Sequence, residues 1–159
     1  MGLDSPLPRH LGTADAESAD RAELRGAASK RQGRTELLDR EVSRVILGAF
    51  YAIHTELGFG FLEAVYANAL TVLLTSAGLR VERQVPFEIG YRGPLIGTYR
   101  ADLVVASRII VEVKSARKLV PQHAAQLLNY LRASRLQLGL LLNLGEKADF
   151  KRVVWTGGG

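Results

Sequence analysis

The chain has 159 residues, 47% hydrophobic and 23% charged, which fits one soluble globular domain with a substantial core. It contains no cysteine, which excludes disulfides, thiolate nucleophiles and zinc–thiolate sites. The net charge of +5 is compatible with a polyanionic partner, although many basic proteins have none. Because no segment is apolar enough to span a bilayer or to form a secretory signal, we expect a cytoplasmic protein without a membrane partner.

The N-terminal residues 1–34 carry few large apolar side chains and show no periodicity. Such a composition cannot bury enough surface to offset chain entropy, so it predicts a disordered tail. In residues 35–57, by contrast, apolar side chains recur every three or four positions, which is typical of an amphipathic helix. The folded domain is therefore expected over residues 35–156, with a frayed end at 157–159.

A second helix is predicted over residues 61–77, after a short connection at Gly58-Phe59-Gly60. Glu63 and Tyr66 are three positions apart, so they share one face of its first turns. A carboxylate near a helix N-terminus is common because it interacts favourably with the helix dipole. On spacing alone, that is the preferred interpretation of Glu63.

Three strands are predicted next. Residues 79–89 alternate between apolar and polar side chains, which indicates a strand with one buried face. Pro86 favours a position at the edge of the sheet or at a bulge, since proline cannot donate to the ladder. Residues 95–105 and 109–114 form the next two strands, and a polar loop follows at 115–120.

A third helix is predicted over residues 121–134, with Pro121 as its first residue. Residues 138–144 are an almost unbroken apolar run, typical of a strand buried on both faces. Residues 151–155 are a candidate for a last short strand. This order of helices and strands predicts an α/β fold, a mixed sheet flanked by helices.

Asp102, Glu112 and Lys114 interrupt the apolar runs of the second and third strands. Glu112 and Lys114 are two positions apart, so they project from the same face. A three-residue turn between the strands would pair Val105 with Ile109 and place Asp102 opposite Glu112, whereas a two-residue turn would send Asp102 to the other face. Two carboxylate groups so near each other, with a lysine beside them, suit the binding of a hard divalent cation. The alternative is the solvated face of a half-exposed sheet.

The segment Gly60-Phe-Leu-Glu63-Ala-Val-Tyr66 resembles the signature of the GxxExxY proteins. The resemblance runs from about Leu37 to Trp155, and it includes Tyr99-Arg-Ala-Asp102, Ile110-Val-Glu112-Val-Lys114 and Gln126-Leu-Leu-Asn-Tyr130. It implies membership of the PD-(D/E)xK nuclease-like superfamily. The implied fold is a restriction-endonuclease-like core of helix, three strands, helix and strand (αβββαβ), with an extra N-terminal helix.

The resemblance also implies roles for individual residues. Asp102, Glu112 and Glu63 would be ligands of a metal ion, and Lys114 would be the catalytic lysine. The proline that often precedes the aspartate is replaced by Ala101, which leaves the ligand itself intact. Residues implied or expected to bind substrate or to support the site are Gln126, Tyr130, Tyr66, Arg117 and Lys118.

These implications predict a Mg²⁺-dependent nuclease, with Mn²⁺ as a substitute, that hydrolyses phosphodiester bonds in nucleic acid, DNA being favoured over RNA. The alternative is a non-catalytic module that keeps the fold and binds nucleic acid or protein. A third interpretation is a structural subunit of a larger complex. The acidic pair argues against a pure nucleic-acid binder, because buried carboxylates repel phosphate.

Overall fold

The computed structural model describes residues 14–157, which form three helices and five strands. The elements are α1 (Ala14–Leu57), α2 (Glu63–Ser76), β1 (Val81–Gly90), β2 (Leu95–Val105), β3 (Ile109–Lys114), α3 (Pro121–Ser134), β4 (Leu138–Leu144) and β5 (Ala148–Val154). The predicted order of elements and the α/β class are confirmed, and the last strand is longer than expected. No helix within residues 14–157 is long and apolar enough to cross a bilayer.

Helix α1 begins at Ala14, well before the predicted start at Thr35. The predicted disordered tail therefore differs from the structure over residues 14–34, and residues 1–13 lie outside the described part. Side chains 17–34 are exposed, so no burial signal marks this segment in the sequence. It is rich in alanine and arginine, which favour helix even without packing. The chain divides into two compact units between Leu37 and Leu38.

The five strands form one mixed sheet in the order β1-β2-β3-β4-β5. Only β3 and β4 are parallel, and α3 is the crossover between them. Strand β1 lies at an edge, as Pro86 predicted. All seven residues of β4 are buried, which confirms the strand expected from the apolar run. Parallel strands need such covered surroundings because their crossovers lie on the sheet faces.

One face of the sheet packs against the last turns of α1 and against α2, and we call it the α1–α2 face. The buried side chains of this face come from both helices and from alternate positions of β2, β3 and β4. The helices contribute large residues without exposed surface, such as Phe50, Tyr66 and Leu70. Burial of each such side chain contributes about 1.5–3 kcal/mol, which makes this face the main hydrophobic core.

The opposite face packs against α3, and we call it the α3 face. Its buried cluster is smaller and includes Leu127 and Leu131 from the helix with Ile110 and Leu141 from the strands. The α3 helix crosses this face from the carboxyl end of β3 to the start of β4. Its first turns therefore lie beside the end of β3, where Lys114 is the last strand residue.

Candidate functional site

Strands β2 and β3 form the hairpin that carries the candidate acidic residues. Val105 pairs with Ile109, which leaves three residues in the turn. The predicted three-residue turn is thus confirmed, and its register places Asp102 at the level of Glu112. This level lies towards the carboxyl end of β3, the same end of the sheet at which α3 begins.

The two carboxyl groups at this level are held by hydrogen bonds between the strands. The Asp102 N–H donates to Glu112 Oε1 at 3.2 Å, and the Val113 N–H donates to Asp102 Oδ2 at 2.8 Å. Each carboxyl therefore binds the backbone of the other strand. The second oxygens, Asp102 Oδ1 and Glu112 Oε2, make no hydrogen bond to any residue from 14 to 157, so one acceptor on each group is available to a ligand.

Tyr99 is a site residue to which the sequence pattern gave no role. Its hydroxyl donates to Glu112 Oε1, and its ring stacks on Tyr130 of α3 with 8° between the ring planes. Burial first, and the Glu112 carboxyl second, raise the pKa of Tyr99, so the hydroxyl stays protonated and remains a donor. The stack places Tyr130 against the residue that bonds Glu112, and the role of Tyr130 in supporting the site remains a prediction.

The environment of Glu112 disfavours its ionised form. The residue is 7% exposed, and burial, followed by the nearby Asp102 carboxylate, raises its pKa from 4.5 to about 7. The Tyr99 hydroxyl, the Asp102 N–H and the Lys114 ammonium act in the opposite direction but do not cancel the rise. A carboxyl with raised pKa beside another carboxyl is the electrostatic pattern of a site that shares a proton or binds a cation.

Lys114 ends β3 on the same side as Glu112, as the two-residue spacing predicted. Its half-buried side chain lines a groove along α3 together with Gln122, His123, Gln126 and Asn129. The groove is thus lined by one ammonium group and several amide and ring nitrogen groups. Such groups bind phosphate and sugar oxygens, and Lys114, which lines the groove, is two residues from Glu112.

A model of the PD-(D/E)XK nuclease superfamily matches residues 40–153, which are most of the chain. The chain belongs to this superfamily. A solved structure, that of SSO0001, is 20% identical, with a TM-score of 0.49, and the match covers 80% of this chain and 63% of the other. The chain therefore spans less than two thirds of that protein. No curated protein matches the chain.

The superfamily is thus confirmed, and the mixed sheet with its helices is consistent with a restriction-endonuclease-like fold. The finer assignment to the GxxExxY proteins remains a prediction. In this PD-(D/E)XK protein, Asp102, Glu112 and Lys114 are the predicted counterparts of the acidic and lysine residues that the superfamily name describes. Their roles in metal binding and catalysis in this chain remain predictions.

The donor set of this PD-(D/E)XK protein fits a hard divalent cation. Asp102 and Glu112 each have a carboxylate oxygen without a hydrogen bond to a described residue. Oxygen ligands of this kind are those that Mg²⁺ and Mn²⁺ take in proteins. Burial first and the Asp102 carboxylate second raise the pKa of Glu112, and a positive ion between the two carboxylates would relieve their repulsion.

Glu63 is the first residue of α2, and its side chain is exposed. Within the part of the chain that the structure describes, no three acidic, histidine or cysteine side chains are grouped to hold a metal, so Glu63 does not complete such a group with Asp102 and Glu112. Its role as a third ligand remains a prediction. The position itself agrees with a carboxylate at a helix N-terminus.

Tyr66 of the GxxExxY segment is fully buried beneath the loop that precedes α2. Its hydroxyl donates to the Gly58 carbonyl at 2.7 Å and accepts the Phe61 N–H at 3.2 Å. Tyr66 therefore shapes the loop and does not present itself to a ligand. Of the predicted supporting residues, Gln126 lies exposed on α3, and Arg117 and Lys118 are exposed in the loop after β3.

Asn143 is a second site residue for which the sequence pattern predicts no role. It is 1% exposed within β4 and pairs with Lys114 of β3. Its Oδ1 accepts the Ala116 N–H at 2.8 Å, and its Nδ2 donates to the Ala116 carbonyl at 2.9 Å. The side chain thus fixes the backbone two residues after Lys114. In the sequence, Asn143 lies within an apolar run. Its hydrogen-bonding partner, Ala116, is 27 residues away, so no local pattern marks its role.

At the level of Asp102, the apolar side chains of β1 change from one face of the sheet to the other. In β1, Val81 packs on the α1–α2 face, whereas Val85 and Phe87 pack on the α3 face. The prediction that these positions share one face is therefore wrong. The change occurs at Gln84, whose backbone has φ 49°, a left-handed conformation that costs about 1–2 kcal/mol outside glycine. Strained backbone of this kind often accompanies functional sites.

Proposed function

We propose that this PD-(D/E)XK protein is a Mg²⁺-dependent nuclease that hydrolyses phosphodiester bonds, with DNA favoured over RNA and Mn²⁺ as a substitute. One observation carries the proposal: Asp102 and Glu112 are fixed at one level of the hairpin with Lys114 beside them. Nucleases of this superfamily typically use divalent metals, and the two carboxylates would hold the cation. A bound cation supplies Lewis acidity to the phosphoryl group and neutralises its charge.

The protein's own groups have distinct tasks in this proposal. The Tyr99 hydroxyl and the Asp102 N–H orient Glu112 by donating to the same oxygen, Oε1. The Val113 N–H fixes Asp102 in the same way. These bonds preorganise the two ligands, so little reorganisation is needed when the substrate binds.

Lys114 is the group that acts on the substrate directly. Its ammonium lies on the Glu112 side of the strand and within the groove along α3. There it can donate to a non-bridging phosphate oxygen and stabilise the negative charge that develops in the transition state. The Asn143 bonds to Ala116 hold the backbone that follows Lys114, so the ammonium is presented from a fixed strand end.

The α3 groove and the loop after β3 provide the contacts that position a nucleic acid. Gln126 and Asn129 are three apart, so their amides face the same side of α3 and can bind sugar and phosphate oxygens. Arg117 and Lys118 are exposed beside the groove and attract the phosphate backbone. Binding should therefore weaken steeply as the salt concentration rises.

A cleavage assay tests the proposal. Labelled single- and double-stranded DNA and RNA are incubated with the protein in Mg²⁺ or Mn²⁺. We expect cleavage of at least one substrate, loss of about 10³-fold or more in Asp102→Asn, and loss of about 10²–10³-fold in Lys114→Ala. Asp149→Asn, which changes an exposed aspartate of β5, is the matched control and should cleave normally.

Glu63→Gln in the same assay tests the predicted third ligand separately. A loss comparable with that of Asp102→Asn would show that Glu63 joins the site when substrate and metal are bound. Absence of cleavage of every substrate by pure protein that binds metal would overturn the nuclease proposal. It would leave the non-catalytic binding module as the better account.

A further inference from the structure

The loop of residues 58–62, between α1 and α2, exposes three large apolar side chains. Phe59 is 62% exposed, Phe61 is 46% exposed and Leu62 is 79% exposed. Single exposed apolar residues are ordinary, but two aromatic rings and a leucine exposed within four positions concentrate apolar surface in one short loop. Such a surface is expected to contact a partner of the protein.

The backbone of the 58–62 loop is fixed from both ends. The Gly58 N–H donates to the His54 carbonyl at 3.0 Å, which closes the end of α1. The buried Tyr66 hydroxyl then bonds both the Gly58 carbonyl and the Phe61 N–H. Gly60 has φ 109°, a conformation that other residues rarely adopt. The aromatic side chains are therefore held outwards by an ordered backbone.

The 58–62 loop lies at the same end of the sheet as Lys114. His54, which bonds the first residue of the loop, also bonds the Gly145 carbonyl at 2.8 Å through Nε2. Gly145 packs closely on Ala116, since a Cβ at Gly145 would lie 2.1 Å from the Ala116 carbonyl oxygen. Ala116 follows Lys114 by two residues. A short series of contacts thus connects the aromatic loop to the loop that carries the basic side chains.

The combination of exposed aromatic rings with cationic groups fits one class of partner. Arg117 and Lys118 are exposed in the loop next to Ala116, and they would attract phosphates. Rings beside such cations stack on bases that are free of a duplex, whereas paired bases keep their faces inside the helical stack. A second copy of this basic chain would bring like charges together.

We propose that the 58–62 loop stacks on unpaired bases next to the phosphate held at Lys114, which makes single-stranded or frayed nucleic acid the preferred substrate. This inference rests on the proposed nuclease function and deepens it. Phe59, with the larger exposed ring, supplies the main stacking surface, and Phe61 extends it. Tyr66 is the positioning residue that holds the loop in this arrangement.

Binding measured without metal tests the inference separately from catalysis. Fluorescence anisotropy is followed with a labelled single-stranded oligonucleotide and with a blunt hairpin duplex. We expect Phe59→Ala to weaken single-strand binding by about 5- to 100-fold, the range for loss of one base–aromatic stack, and to change duplex binding by less than about twofold. Val72→Ala, which changes an equally exposed apolar residue of α2, is the control and should leave both unchanged.

The outcomes separate the inference from the proposed function. If Phe59→Ala/Phe61→Ala binds the single strand as well as the unchanged protein does, or loses both substrates equally, the inference is overturned, whatever the cleavage assay shows. Selective loss of single-strand binding supports base stacking by the loop, and if the same protein binds metal but cleaves no substrate, only the nuclease function is overturned. Dissociation of a dimer by Phe59→Ala, measured by sedimentation, would show that a second copy covers the loop and would overturn the inference.

Discussion

The two faces of the sheet use the same strands for different tasks. Among the described residues, the α1–α2 face carries a cluster of 18 buried hydrophobic residues, whereas the cluster of the α3 face has six and lies beside Asp102, Glu112 and Lys114. Close carboxylates oppose folding unless they share a proton or a cation. The comparison indicates that the α1–α2 face stabilises the domain, which allows the α3 face to hold charged groups together.

The largest expected effect on stability tests the α1–α2 face. Leu70→Ala removes a fully buried side chain of α2 and should lower the free energy of unfolding by about 2–5 kcal/mol, because it leaves a cavity. Urea denaturation measures the change, and Val72→Ala, on the exposed side of the same helix, should change it by less than about 0.5 kcal/mol. A loss below about 1 kcal/mol in Leu70→Ala would contradict the assignment of the main core to this face.

The next largest expected effect is a change in stability that depends on pH and arises on the α3 face. The folded pKa of Glu112 is about 7 against an ordinary 4.5, so the stability it contributes is fully present below pH 4.5 and is lost as the pH rises through 7. Without metal, Glu112→Gln should therefore gain stability relative to the unchanged protein between pH 5 and pH 8, by up to about 3 kcal/mol.

Thermal or urea unfolding across this pH range, in the presence of a chelator, measures the difference. Glu88→Gln changes an exposed glutamate of β1 and should keep the pH dependence of the unchanged protein. If Glu112→Gln loses stability relative to the unchanged protein as the pH rises, the ionised carboxylate is favoured by the fold. The claim that the close carboxylates of the α3 face oppose folding would then be wrong.

The smallest expected effect on stability concerns the position at which the apolar side chains of β1 change from one face of the sheet to the other. Gln84 has φ 49°, so Gln84→Gly should relieve strain, whereas Gln84→Ala should not. We expect the glycine variant to be more stable than the alanine variant by about 1 kcal/mol. Equal stability of the two variants in urea denaturation would show that the backbone at this position is relaxed.

Much of the site could be predicted from the sequence because its signals are local. The three-residue turn fixes the register of Asp102 against Glu112, and the period of two fixes Lys114 on the same side. Asn143 could not be recognised, because its partner is the backbone of a distant loop that no residue pattern marks. Tyr99 likewise has no local signal, since its hydroxyl bonds a carboxyl on the neighbouring strand.

The fold was predictable to a similar degree and for similar reasons. The order of elements followed from periodicity, and the parallel β4 followed from its apolar run. The start of α1 at Ala14 was not predicted, because an exposed helix leaves no hydrophobic period in the sequence. The change of face in β1 could not be predicted either. The alternating pattern predicts a regular strand through Gln84, where the backbone departs from regular strand geometry.

A metal titration of thermal unfolding tests the central claim, that Asp102 and Glu112 form a divalent-cation site, most directly. The melting temperature is followed as Mg²⁺ or Mn²⁺ is added to the unchanged protein, to Asp102→Asn and to the Asp149→Asn control. A cation that binds only the folded state should raise the melting temperature in a saturable way in the unchanged protein and the control, and not in Asp102→Asn. The same increase in Asp102→Asn, or no increase in any of the three proteins, would contradict the account.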